Sequence, residues 1–220
     1  LAMIAAKVGA LPGRSADRFL HLAAGGTVRS KYQPAGTTSL EGLTWPDTYY
    51  VTPTEDEAVI LRRIVDRYDA EVARLGIPTR AAAKGESVYT ATITASLIQG
   101  EAGVDSDRPL ISAVIANRLA QGMPLQIDAT VLYAIGHRKA SNTAADRAVD
   151  SPYNTYRVRG LPPTPIATVT KASLLAALHP ASTTYLYYVL AAADGHHAFA
   201  STYAERLRNV EAARRAGLLK

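Results

Sequence analysis

Apolar positions along this chain recur with helical spacing in several separate runs. Leu1, Ile4, Ala5 and Val8 predict a short first helix, stopped by Pro12-Gly13. Ser15 can cap a second, with Phe19, Leu20 and Leu22 on its apolar side. The longest stripe is Val59, Ile60, Ile64, Val65, Tyr68, Val72 and Leu75. Thr54 and Glu57 precede it at capping-box spacing and Gly76 follows it, so it reads as an amphipathic scaffold helix. Tyr89, Ile93, Leu97 and Glu101 recur every four residues within Val88 to Gly103, which puts Glu101 on the core face of its own helix.

Pro109 opens a further helix, with Leu110, Ile111, Val114, Ile115 and Leu119 inward and Gly122 at its end. Residues 123 to 169 are rich in Pro, Gly, Asn, Asp and Tyr and show little regular pattern, which predicts a loop that builds a site or a lid. A short helix is expected from Thr170 to Leu178, stopped by His179-Pro180. Tyr185 to Val189 alternates like a strand, and Thr202 with Glu205 caps a terminal helix facing inward through Tyr203, Leu207 and Val210. Upstream, Trp45-Pro46 keeps Thr44 to Val51 extended. Helices with a few separated strands in no strict alternation predict an α+β fold. The two weak helices of residues 1–38 resemble a truncated small module ahead of a larger domain at 39–220.

Composition narrows the chemistry. The 220 residues hold no cysteine, so thiol nucleophiles, disulfides and zinc–thiolate sites are excluded. The net charge of +5 could draw an anionic polymer or serve solubility alone. The basic pairs Arg62/Arg63, Arg157/Arg159 and Arg214/Arg215 are scattered, which argues against a nucleic-acid partner. No apolar run approaches the roughly 20 residues that span a bilayer. The chain starts at Leu1 without a signal-peptide pattern, so it reads as a piece of a longer protein, with any membrane anchor upstream.

Glu101 is the first candidate for chemistry. A carboxylate on an apolar face loses solvation, which raises its pKa toward the range useful for a general acid. The plainer reading is a surface glutamate at a helix end. Gln126, Asp128 and, close behind, Tyr133 can hold sugar hydroxyls and amides, or simply form a turn with Asp128 as a helix cap. Tyr153, Asn154 and Tyr156, ahead of Gly160-Leu161-Pro162-Pro163, suit a sugar groove or a stiff structural loop. His196 and His197 would point to opposite strand faces, and His137 and His179 complete no ligand spacing, so no metal or cofactor is expected. No GxSxG, P-loop or GxGxxG motif is present.

Taken together, these segments resemble the MltG/YceG-like endolytic murein transglycosylases. Ala95-Ser96-Leu97-Ile98-Gln99-Gly100-Glu101 is similar to that family's "ASIVEKE", and Leu40-Glu41-Gly42-Leu43-Thr44-Trp45-Pro46-Asp47-Thr48-Tyr49 to its "LEGYLFPDTY". Gly122 to Tyr133, Ser151 to Tyr156, Gly160 to Ala167, Ala176 to Pro180 and Gly195 to Phe199 follow in family order. The resemblance implies that residues 1–38 are the remnant of a LysM-like subdomain and 39–220 the catalytic domain. It implies an extracytoplasmic, membrane-anchored bacterial enzyme that cuts nascent peptidoglycan strands between MurNAc and GlcNAc. The new ends would be 1,6-anhydro-MurNAc, and wall-synthesis polymerases would be partners.

By the same resemblance Glu101 is catalytic, and Asn117, Gln126, Asp128, Tyr133, Asn154, Tyr156 and His197 bind substrate, with Tyr153 beside them. The chain departs from the family at Gln99 and Gly100, which stand in place of its Glu and Lys, at Ala129 in place of a proline, and at His196 in place of a glycine. The two rival readings are a hydrolytic muramidase, with Asp128 activating water, and a glycan-binding protein without turnover.

Overall fold

A computed structural model describes residues 1–136 and 142–219. Among them the chain forms nine α-helices, two short 3₁₀ turns and one β-hairpin. Helices α1 (Ala2–Gly9) and α2 (Ala16–Ala24) pack on each other, and a Cβ on Gly9 would stand 2.8 Å from the Ala16 nitrogen. Ser15 caps α2 as expected, its hydroxyl accepting from the Arg18 N–H. Leu20 is exposed, and Phe19 and Ala23 form the buried edge instead.

Helix α3 (Glu57–Arg74) begins differently from the expected capping box. Asp56 is the cap, accepting from the Val59 N–H at 2.9 Å, while the Thr54 hydroxyl pairs with Thr52 in the preceding turn. Glu57 is free to reach outward. It is buried, accepts the Ser15 N–H at 2.7 Å, and so ties α3 to the start of α2. Gly76 ends α3 in a left-handed conformation (φ 65°) and opens α4 (Ile77–Ala83), too short for its apolar spacing to announce it.

Helix α5 (Val88–Glu101) runs through the centre, buried on most of its faces. A 2.6 Å hydrogen bond between the Tyr68 and Thr92 hydroxyls links it to α3. Next come α6 (Arg108–Ala120) and α7 (Asp128–Ile135). Helix α7 interrupts the stretch expected to be irregular, and starts at Asp128 with Ile127 as an N-cap that makes no side-chain cap bond.

Helix α8 (Lys171–Leu178) covers α5 and begins with a capping box of Thr170 and Ser173. Strands β1 (Tyr187–Leu190) and β2 (His197–Ala200) then pair antiparallel, from Tyr187 opposite Ala200 to Leu190 opposite His197. The fold is α+β, as expected, and its β part is one hairpin instead of several separated strands. Helix α9 (Tyr203–Arg215) has the predicted Thr202–Glu205 box and packs on the hairpin. Tyr203 and Leu207 are exposed, and the buried residue of α9 is Ala213.

One hydrophobic cluster joins Ala5, Val8 and Phe19 to Leu40, Tyr68, Leu97 and Leu174, so residues 1–38 share the core of the rest. Each large apolar side chain buried there contributes about 1.5–3 kcal/mol. That core fixes α5, and α5 ends at Glu101.

Candidate active site

Glu101 is the last residue of α5, and the helix brings its carboxyl to the meeting point of α7 and the hairpin. Its Oε1 accepts the Ala129 backbone N–H at 3.3 Å, and its Oε2 accepts the Tyr188 hydroxyl at 2.9 Å. Burial raises the Glu101 pKa above the ordinary carboxylate value. The Tyr188 and Ala129 hydrogen bonds oppose that rise, and the negative charge of Asp128 adds to it. The residue as a whole is half-buried.

Close approaches of backbone set this geometry. A Cβ on Gly100 would stand 2.9 Å from the Ala129 Cβ, so the glycine lets α7 sit against α5. A Cβ on Gly103 would stand 2.6 Å from the Gly195 carbonyl oxygen, so the hairpin turn sits on the chain just after α5. Gly195 has φ 98°, a conformation glycine adopts without strain.

A second set of contacts anchors the hairpin. Asp107, buried in the 3₁₀ turn Asp105–Asp107, accepts the His197 backbone N–H at 2.8 Å. The same carboxylate oxygen lies 3.0 Å from His197 Nδ1. The His197 ring meets Tyr188 edge-on, with centroids 5.4 Å apart. His196, one residue before β2, is exposed, pairs with Asp194, and has its Nε2 3.4 Å from the Ser106 hydroxyl.

Asp128 opens α7 beside Glu101 and takes a very short hydrogen bond from the Tyr156 hydroxyl. Burial, then Asp128, pushes the Tyr156 pKa well above the ordinary phenol value, so it stays a donor. The Arg147 guanidinium lies 5.6 Å over the Tyr156 ring. Gln126 is the one described non-glycine residue at positive φ, 54°. Its backbone N–H bonds to Thr155 O, and its exposed side chain accepts from Arg118 at 3.4 Å. Strain of this kind persists where surrounding contacts enforce it, often at functional sites.

The remaining candidates divide. Tyr133 and Tyr153 pack together with centroids 4.9 Å apart. They also lie near Tyr89, more than three turns before Glu101 on α5, so they form a platform removed from the carboxyl. The Asn117 amide is spent on the carbonyls of Thr183 and Tyr185, which lead into β1. Asn154 is fully buried and donates to the carbonyls of Arg147 and Val149, closing its own loop. His137 lies outside the described residues. Among the described residues no three acidic or histidine side chains are grouped to hold a metal.

Sequence reasoning did not single out Tyr188, Asp107, Ala129 or Arg118. Arg118 carried a signal, because it follows Val114 and Ile115 on the buried face of α6. It is almost fully buried and donates to the carbonyls of Leu186, Pro124 and Leu125. That one guanidinium ties β1 to the segment entering α7. Burial lowers its pKa, and the rings of Tyr187 and Tyr188 beside it oppose that shift. Tyr188 lay inside the expected Tyr185 to Val189 strand and Ala129 stood out only as a departure from the family, and neither carried a sign of its contact with Glu101.

The chain matches the model of the YceG-like family over residues 3–212. It is 41% identical to a protein of Bacillus subtilis (strain 168) named endolytic murein transglycosylase, over 76% of this chain and 46% of that one. A protein of the same name from Streptococcus pneumoniae (strain D39) is 29% identical, over 78% of this chain and 32% of that one. This chain therefore spans less than half of the length of these curated relatives. A crystal structure of a yceG-like protein from Listeria monocytogenes superposes with a TM-score of 0.85 at 32% identity. That likeness covers 94% of this chain and 72% of the other.

Proposed function

This chain belongs to the YceG-like family, and on that premise we propose that it is the catalytic part of an endolytic murein transglycosylase. The observation that carries the proposal is the Glu101 carboxyl, desolvated and gripped between the Tyr188 hydroxyl and the Ala129 N–H. The substrate is the glycan strand of peptidoglycan, cut internally between MurNAc and GlcNAc. Residues 39–220 form the catalytic domain and 1–38 the remnant of a LysM-like subdomain. The site faces the cell wall from a membrane anchor outside this chain, and wall-synthesis polymerases are its partners. No metal or cofactor takes part.

Protonated Glu101 gives its proton to the scissile glycosidic oxygen, and the C–O bond breaks through an oxocarbenium-like state. The ionised carboxylate then takes the proton of the sugar's own 6-hydroxyl as that oxygen bonds to the anomeric carbon. One carboxyl serves as acid and then as base, and no water is consumed. Raised proton affinity suits the first step, and the two donors on Glu101 stabilise the anion needed for the second. Gln126, Asp128 with Tyr156, and His197 line the approach to Glu101 and orient the sugar. Tyr133 and Tyr153 supply aromatic faces for sugars further along the strand. Asn117 and Asn154 serve the site through the backbone segments their amides hold.

Mass analysis of uncrosslinked glycan strands incubated with the protein and with a Glu101→Gln variant tests this. Anhydro-ended fragments from the wild type alone support it. Fragments heavier by one water point to the hydrolase reading, with Asp128 activating water. Binding without cleavage by either protein points to a glycan-binding role.

A further inference from the structure

Among the contacts that join the hairpin to the end of α5 and the turn after it are, in order, Gly103 against Gly195, Asp107 with His197, and Glu101 with Tyr188. The first two are backbone-fitting and anchoring contacts. The third reaches the carboxyl to which the reaction has been assigned. We infer that Tyr188 is a positioning residue whose phenol O–H orients the Glu101 carboxyl and sets its affinity for a proton. The inference rests on Glu101 being the acid.

The phenol is held from several sides. Its ring stands edge-on to His197 and 6.1 Å from Phe199, its cross-strand partner. Its carbonyl accepts from Arg206 on α9 at 3.2 Å. His197 is locked by Asp107, so the ring it braces has little freedom. A hydroxyl fixed in this way loses little entropy when it donates to a carboxylate.

The direction of donation follows from the surroundings. Tyr188 is partly buried next to a carboxyl, and both facts favour its keeping its proton. It therefore donates to Oε2, at 2.9 Å, and is the closer of the two donors on Glu101. Oε1, whose hydrogen bond from the Ala129 N–H is longer at 3.3 Å, is the oxygen that carries the proton toward a ligand. Other groups face the pair from every packed element: Asp128 on α7 with Tyr156 bonded to it, Asp107 in the 3₁₀ turn, His197 on β2, Arg118 on α6 and Arg206 on α9. Asp128 favours the neutral acid, and Tyr188 favours the anion. Burial, the largest influence, also favours the neutral acid, and the Ala129 N–H also favours the anion.

Titration of Glu101 in the whole protein tests this apart from any reaction. The protein is labelled with carboxyl-¹³C glutamate, and the Glu101 signal is assigned by its loss in Glu101→Gln. Removing a donor to the anion raises the midpoint, so Tyr188→Phe moves it up by about one pH unit, a tenfold gain in proton affinity. A ring-fluorinated tyrosine at position 188 is a stronger donor and moves it down. An unmoved midpoint in both proteins, or a downward shift in Tyr188→Phe, overturns the inference. On glycan strands Tyr188→Phe lowers kcat about tenfold, leaves KM unchanged, and moves the alkaline limb of the pH profile upward. Should the midpoints move as stated while wild-type protein cuts no strand, the proposed reaction fails and the coupling of Tyr188 to Glu101 stands.

Discussion

The α-carbon of Gly100 lies against the side chain of Ala129, and a methyl group at position 100 would stand 2.9 Å from the Ala129 Cβ. The neighbours of these two residues carry the site: Glu101 follows Gly100, and the Ala129 N–H is one of its two donors. Contact between two small residues thus sets how close α7 comes to the acid.

Gly100→Ala therefore pushes α7 outward. The overlap costs about 1–3 kcal/mol of stability, as overpacking does. Strand cleavage falls by more than that loss explains, because the Ala129 N–H leaves Oε1. Thermal unfolding and product formation on the same protein samples check both parts.

Glu101→Gln removes the ionisable group and abolishes cleavage while keeping the shape. It also changes how stability depends on pH. The folded-state pKa of Glu101 lies above its unfolded value of 4.5. Its neutral form therefore supports folding at low pH, and that support is lost as pH rises through the raised pKa. Relative to wild type, the variant gains stability on going from pH 4 to neutral. Melting temperatures of both proteins across that range show the difference, and a pH-independent gap contradicts it.

Arg118→Lys is a severe change in spite of the retained charge. An ammonium on a flexible stem cannot reach the carbonyls of Leu186, Pro124 and Leu125 together as the guanidinium fork does. Leaving buried carbonyls unpaired costs about 1–3 kcal/mol each, so Arg118→Lys is expected to lower the chemical denaturation midpoint well below that of an exposed substitution such as Arg214→Lys.

Gln126→Gly separates stability from function. Glycine accepts φ 54° without the cost a side chain carries there, a gain of about 1 kcal/mol. Activity drops in the same variant, because the Gln126 amide next to Arg118 is lost. Raised stability together with unchanged cleavage assigns Gln126 no part in substrate binding.

The capping of α2 and α9 was legible in the sequence because an N-cap is a local event, settled within four residues. At α3 the same logic chose the wrong residue. Thr54 and Glu57 had the right spacing, but Glu57 had a tertiary partner in the Ser15 N–H, and Asp56 took the cap. Leu20, Tyr203 and Leu207 show a similar limit, since apolar spacing marks a possible inner face and only a packed neighbour makes it one. Helix α7 surfaced only as a possible cap at Asp128, because its eight residues lie in a stretch dominated by turn formers.

By itself the sequence determined that α5 is a helix and that it carries Glu101 on its core-facing side, because a period near four residues needs no knowledge of the rest of the chain. The α+β class and the order of the elements follow from the same local rules. Only the tertiary structure decided what surrounds that carboxyl. The Tyr188 hydroxyl reaches it from 87 positions away and the Ala129 N–H from 28. Both contacts depend on backbones that approach closely only at Gly100, Gly103 and Gly195. Hydrogen bonds over such separations leave no periodicity in the chain, since they are fixed by the packing of whole elements and not by the spacing of residues within one.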